Sequence, residues 1–278
     1  MAAPASNYTG AATEGRPYSY AIVFTRAIVR EPSASFASGE TSANLGKPDL
    51  EVALRQHRAY CAALESCGLK LIELPPDEKH PDSTFVEDTA LLTSHGAVLT
   101  RPGADSRRDE VASIAPVLRE YFRHVHSIEA PGTVDAGDVC EAGEHFFIGI
   151  SRRTNEHGAK QLADLLGSFG YTTSLIDIRG LSNILHLKSG IAYLSDRRLV
   201  VIEALRNVQE FSGYDLICLD STEEYAANCL SLNGKTLIAS GFPETKHRLE
   251  LLGDPVISLD MSEFQKMDGG LSCLSLRF

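Results

Sequence analysis

The chain has 278 residues, with 37 acidic against 26 basic side chains and a formal net charge of −11. That balance argues against a nucleic-acid binder whose affinity rests on neutralising phosphates. A content of 43% hydrophobic and 23% charged residues is that of an ordinary globular domain, not a disordered chain. No apolar run is long enough to span a membrane. Six cysteines, at positions 61, 67, 140, 218, 229 and 273 and without a CxxC pair, point to reduced thiols in a cytoplasmic protein.

Residues 1–17 are small and polar and read as a flexible leader; residues 18–278 read as one domain. Residues 18–29 are apolar and β-branched, the pattern of a buried strand. Residues 31–47 form a long polar stretch with Pro32, Gly39 and Gly46, and loops of that length are usually functional. The recurrence of Leu50, Leu54, Tyr60, Ala63 and Leu64 predicts a helix over 49–67, stopped by Gly68. Strands are predicted over 71–74, 85–93 and 97–100. A helix follows over 105–121, capped by Asp105 or Ser106 and kinked or interrupted at Pro116. Further strands over 125–128, 146–150 and 174–178 surround a helix over 154–166 opened by Thr154. The second half alternates in the same manner, with strands over 192–194, 199–202, 216–219, 236–239 and 256–258 and helices over 244–252 and 262–266. The periodicity gives a mixed α/β domain and no finer fold.

Five places carry side chains suited to chemistry. Cys273 follows Gly269-Gly270 in the C-terminal segment; it is either a buried small residue of a terminal strand or a nucleophile. His186 lies between leucines, either as a satisfied core histidine or as a general acid–base that meets a distant nucleophile. Asp135 and Asp138 flank Ala136-Gly137; they form an ordinary Asp-Gly turn, or one of them orients an imidazole. Asp82, Glu87 and Asp88 surround Phe85-Val86. On a strand Glu87 and Asp88 would point to opposite faces, forming either a solvated acidic edge or a buried cradle for a guanidinium. Arg107-Arg108 and Arg152-Arg153 precede predicted helices, as surface arginines or as an anion clamp.

In this order, the stretches LGKPD (45–49), LPPDE (74–78), FVED (85–88), TRPGA (100–104) with SRR (106–108), APGT (130–133), HLK (186–188), YAANC (225–229) and DGGLSCLSLRF (268–278) resemble the dimethylarginine dimethylaminohydrolase family. That family belongs to the guanidino-group-modifying superfamily, the penteins, and the chain looks most similar to its short bacterial members. The resemblance covers nearly the whole chain from residue 22. It implies a five-bladed α/β propeller of ββαβ units around a central polar channel. It also implies hydrolysis of N-ω-methylated L-arginines to L-citrulline through a covalent thiouronium on Cys273. His186 is then the proton shuttle and Asp135 its orienting partner. Asp82, Phe85, Glu87 and Asp88 would surround the cationic end of the substrate. Arg107 and Arg153 would hold its α-carboxylate, and the Met267 carbonyl would lie near the nucleophile. Residues 33–46 would form a lid, in which Glu40 stands where the family usually has an aliphatic side chain. No metal or organic cofactor is implied. The implied partner is a small guanidino amino acid, without nucleic acid or membrane, in a monomer or homodimer. The alternatives are a deiminase or hydrolase of free arginine or another guanidino or ureido compound, and an inactive pentein that only binds.

Overall fold

A computed structural model describes residues 23–278; the expected leader and the start of the first expected strand, residues 18–22, lie outside the described residues. The chain is built from one motif repeated around an axis. The first unit is β1 (Arg26–Arg30), α1 (Leu50–Ser66) and β2 (Lys70–Leu74). The second is β3 (Ala90–Thr93), β4 (Gly96–Leu99), α2 (Val111–Tyr121) and β5 (Val125–Ser127). The third is β6 (Val139–Ala142), β7 (His145–Ile150), α3 (Glu156–Ser168) and β8 (Thr172–Asp177). The fourth, β9 (Ile191–Tyr193), β10 (Arg198–Ile202) and β11 (Asp215–Leu219), replaces the helix by 3-10 turns at Glu203–Leu205 and Gln209–Phe211. The fifth is β12 (Leu230–Leu232), β13 (Lys235–Ala239), α4 (Pro243–Glu250) and β14 (Val256–Leu259), and α5 (Ser262–Gln265) and β15 (Leu276–Arg277) end the chain.

Among the described residues these strands form five three-stranded sheets. In each, the central strand pairs antiparallel with one neighbour and parallel with the other. The parallel partner follows a crossover, as parallel pairing requires. The first sheet takes its antiparallel strand from the far end of the chain: β15 pairs with β1, and the Phe278 carbonyl accepts from Thr25 and Arg26 N–H, each at 2.8 Å. The ring is therefore closed by the last residues, and the architecture is a five-bladed α/β propeller. The central strands are buried along nearly their whole length, which explains their continuous apolar composition. Apolar clusters fill the seams between blades; Phe147, Leu199 and Ile238 from three successive blades share one. The β12–β13 hairpin turns through Asn233-Gly234, both at positive φ, the pairing favoured by a tight hairpin.

Three expectations are corrected. Residues 86–89 form a 3-10 turn rather than a strand, so Glu87 and Asp88 are not on opposite faces of a sheet. Thr89 Oγ1 donates to the Val86 carbonyl at 2.7 Å and stabilises the turn. Residues 105–110 are a 3-10 helix entered from Ala104 without a side-chain cap. It runs straight into α2, and Pro116 is accommodated inside that helix, where it forgoes one backbone bond. The cap of α3 is Asn155, whose side chain accepts from Gly158 N–H at 2.8 Å, because the Thr154 hydroxyl already accepts from Asp135 N–H. The strands β6, β12 and β15 are too short to leave a readable period.

Removing residues 276–278 takes away β15 and the Arg277–Glu87 pair. The truncated protein is expected to lose about 3 kcal/mol or more in urea unfolding, against less than about 0.5 kcal/mol for a typical exposed substitution.

Candidate active site

The blades bring six carboxylates to the propeller axis: Asp82, Glu87, Asp88, Glu110, Asp135 and Asp138 are all buried. Each has a built-in partner. Glu87 meets Lys188 Nζ, Arg277 Nη2 at 3.0 Å and the Ser272 hydroxyl at 2.7 Å. It therefore faces cations of the protein rather than open space. It also borders a cavity of about 670 Å³ lined by Cys140, Glu141, Lys188 and Arg277, whose lining does not include Cys273 or His186. Asp88 accepts from Arg107 Nη1 at 2.6 Å and from Gly137 N–H at 3.0 Å.

Cys273 lies in a 3-10 turn, Ser272–Leu274, and not in a strand. Its sulfur accepts from Gly270 N–H at 3.4 Å. The two preceding glycines are required by close approach. A Cβ on Gly269 would sit 2.2 Å from the Phe85 ring, and one on Gly270 would sit 2.6 Å from the Asn228 side chain. The left-handed residue here is Asp268, at φ 56°. Asn228 clamps the turn: its Oδ1 accepts from Ser272 N–H and its Nδ2 donates to Ser272 Oγ, both at 2.9 Å. The Tyr225 hydroxyl donates to the Gly269 carbonyl at 2.8 Å. Phe85 packs with Phe36 and Phe264, and the Met267 and Asp82 side chains both come close to Gly39. Burial pushes the Cys273 thiol up to about 12, and the Glu87 and Asp88 carboxylates add to it. Both effects favour the thiol over the thiolate in the unliganded protein.

His186 Nε2 meets Asp135 Oδ2 at 3.0 Å. The other Asp135 oxygen accepts from Gly103 N–H at 2.8 Å. Asp138 holds the next residue in place, accepting from Leu187 N–H at 2.9 Å and from the Ser151 hydroxyl at 2.6 Å. Burial alone would lower the imidazole, but Asp88, the hydrogen bond to Asp135 and the Asp138 charge raise it to about 9. Asp138 itself is raised to about 6 by burial. The Asp135–Asp138 turn thus places one carboxylate on the ring and one on the backbone beside it.

The two expected carboxylate clamps differ. Arg107 is buried and uses all three of its nitrogens on protein acceptors: Glu110, Asp88, and the carbonyls of Asp82 and Phe85. It enters the site as the counter-ion of Asp88 and Glu110. Arg153 keeps a buried Nη1 without a hydrogen-bond partner, while its Nη2 donates to Glu40 Oε2 at 2.8 Å. Asp82 accepts from Glu40 N–H at 3.0 Å, and burial raises its carboxyl. The Asp88, Asp135 and His186 donor atoms lie within 4.8 Å of one another. Arg107 and Gly137 N–H also bond Asp88, and Gly103 N–H bonds Asp135, so these groups form one charge network.

No protein-family model matches the chain. An N(G),N(G)-dimethylarginine dimethylaminohydrolase from Pseudomonas aeruginosa is 44% identical over 257 residues, which is 92% of this chain and 100% of that protein. The chain belongs to the dimethylarginine dimethylaminohydrolase family. A Streptomyces coelicolor relative of the same name is 34% identical over 91% of this chain and 96% of its own. The structure of a cysteine-to-serine mutant of the Pseudomonas enzyme complexed with citrulline superposes with a TM-score of 0.89, at 44% identity, over 92% of this chain and 100% of that one. The chain is thus an enzyme of the hydrolase type that acts on amidine C–N bonds. Among the described residues no helix is long and apolar enough to cross a membrane.

The residue reading left Asn228, Tyr225, Lys188, Ser272 and Arg277 unassigned. Their signal was the company they keep: YAANC, HLK and the last eleven residues are motifs, but position in a motif does not reveal a hydrogen bond to a neighbouring blade.

Because the His186 proton is held more tightly in the folded state than its ordinary value of 6.5, the His186–Asp135 pair stabilises fully below about 6.5. That contribution is lost as pH rises through about 9. Asp135→Asn should lower unfolding free energy at neutral pH by about 3 kcal/mol and flatten its decline toward alkaline pH in denaturant titrations.

Proposed function

We propose that this chain hydrolyses N-ω-methylated L-arginines to L-citrulline and dimethylamine or methylamine, with Cys273 as nucleophile, His186 as proton shuttle and Asp135 as its orienting partner. The observation that carries this reading is the placement of the Cys273 thiol and the Asp135-bound His186 ring beside one carboxylate, Asp88, which acts on both. The citrulline held by the Pseudomonas relative supports the product.

A guanidinium carbon is a weak electrophile because its charge is spread over three nitrogens. Asp82 and Asp88 are the carboxylates offered to that cation, and Phe85 and the Met267 carbonyl bound its seat. Glu87, spent on Lys188 and Arg277, forms the floor. Arg153 Nη1 is the donor offered to the α-carboxylate. The arriving cation reverses the local field, and the thiol releases its proton to solvent. The thiolate attacks the guanidinium carbon, and imidazolium His186 protonates the departing amine, which leaves neutral. The S-alkylthiouronium so formed is attacked by a water that gives its proton to the now neutral His186. Collapse expels the thiolate, the hydroxyl proton passes to that sulfur or to solvent, and neutral citrulline is released. The free thiols of Cys61, Cys67, Cys140, Cys218 and Cys229 support a reducing, cytoplasmic setting.

Citrulline formation is the test, measured side by side on asymmetric dimethylarginine, monomethylarginine and arginine. Methylated substrates should be turned over well and arginine poorly, and Cys273→Ser should reduce the rate at least about 10³-fold without unfolding. Activity on arginine alone would make the enzyme a deiminase with the same machinery. Separately, Arg153→Ala should raise KM about tenfold for substrates with an α-carboxylate and leave agmatine nearly unaffected; equal effects on both would remove the carboxylate role.

A further inference from the structure

The lid, from Ser33 to Gly46, carries a carboxylate at a place where the site expects one from outside. Glu40 Oε2 accepts from Arg153 Nη2 at 2.8 Å, and Glu40 Oε1 accepts from the Ser106 hydroxyl. These donors sit beside Arg153 Nη1, the buried guanidinium nitrogen without a partner. The backbone around Glu40 is fixed rather than loose. Glu40 N–H donates to Asp82, and Gly39 lies so close that a Cβ there would fall 2.1 Å from Asp82 Oδ1. Thr41 and Ser42 bond to Asp268, just before the nucleophile turn, and Ala34 and Ser35 N–H bond to Glu78. The lid is thus tied down on both sides of Glu40, and its side chain points its carboxylate at Arg153.

We infer that Glu40 is an internal occupant of the substrate-carboxylate site: it holds Arg153 and Ser106 in the unliganded enzyme and must be displaced by the α-carboxylate of an entering substrate. The inference rests on the proposed role of Arg153. An α-carboxylate and the Glu40 carboxylate have the same charge and the same fork geometry for a guanidinium, so they compete for one cation. Competition inside the protein divides the intrinsic dissociation constant by the fraction of molecules that are unlatched, which raises the apparent constant, and does not touch the chemical step. Glu40 is therefore a specificity residue. It weakens amino acids that carry a carboxylate and leaves unaffected those guanidines that lack one. Its exposure of 47%, against 16% for Arg153, sets the effect in the range of a partly exposed ion pair.

The test is a set of steady-state measurements on wild type, Glu40→Gln, Arg153→Ala and the double variant. The substrates are asymmetric dimethylarginine, its analogue without the α-amino group, and N,N-dimethylagmatine, which lacks the carboxylate. Glu40→Gln should lower KM about fivefold for the two carboxylate substrates, with kcat unchanged within twofold and dimethylagmatine unaffected. In the Arg153→Ala background the same substitution should have no effect on KM. A rise in KM with dimethylarginine but not with its deamino analogue would show that Glu40 grips the substrate ammonium, and would overturn the inference. An unchanged KM in Glu40→Gln, with Arg153→Ala raising it as expected, would overturn it while leaving the Arg153 reading intact. A fall in KM that persists in the double variant would also overturn it, because Glu40 would then act elsewhere. If Arg153→Ala leaves every KM unchanged, the carboxylate reading itself fails, and this inference with it.

Discussion

The structure depends on pairing buried negative charge. Asp82, Glu87, Asp88, Glu110, Asp135 and Asp138 are drawn out of water to the propeller axis. Buried carboxylates are tolerated only when paired and hydrogen-bonded. The protein supplies Arg107, Lys188, Arg277 and the His186 imidazolium. These cations come from different blades and from the chain terminus, so the charge network also locks the ring. The pairing is not complete. The carboxylates outnumber the cations: among the described residues Asp82 and Asp138 have no cation bonded to them, and Asp82 accepts only from Glu40 N–H; in the proposed reaction the substrate guanidinium supplies the missing charge. Affinity for the substrate and integrity of the axis thus have the same origin.

The same field keeps the proposed nucleophile protonated in the free protein. Glu87 and Asp88 together with burial hold Cys273 as a thiol, while Asp88, Asp135 and Asp138 hold His186 protonated. In the proposed mechanism, proton donor and nucleophile are therefore both on the acid side of their reaction until a cation arrives. A site of this kind discriminates by charge before it discriminates by shape. Neutral ureido products do not sustain the thiolate, which favours their release.

What was legible in the sequence follows from how local each feature is. The helices over 50–66 and 156–168 and the central strands announce themselves by period and apolar run, because burial of one face is a local property. The pairing of His186 with Asp135 was accessible only through resemblance, since their residue types are ordinary and their separation carries no information. The 3-10 turn at 86–89 was misread as a strand because its apolar flanks mimic one. The turn is set by a tertiary demand: Glu87 and Asp88 must reach Lys188 and Arg107. Arg107 shows the same limit. A helix-start arginine suggests an anion clamp, but only the fold reveals Glu110 and two carbonyls already on its guanidinium. Gly269 and Gly270 stand out before Cys273 in the sequence, and the fold supplies the reason: the Phe85 ring and the Asn228 side chain leave no room for a Cβ.

The most direct measurement is the ultraviolet titration of the Cys273 thiolate, with Cys273→Ser as the blank, in the free protein and with saturating alkylguanidinium. The predicted result is a free thiol that ionises well to the alkaline side of an ordinary cysteine and shifts downward when the cation is bound, with no such shift on adding citrulline. A thiolate already present at neutral pH in the free protein, or a titration that ignores the bound cation, would contradict the central role given to the carboxylate surplus.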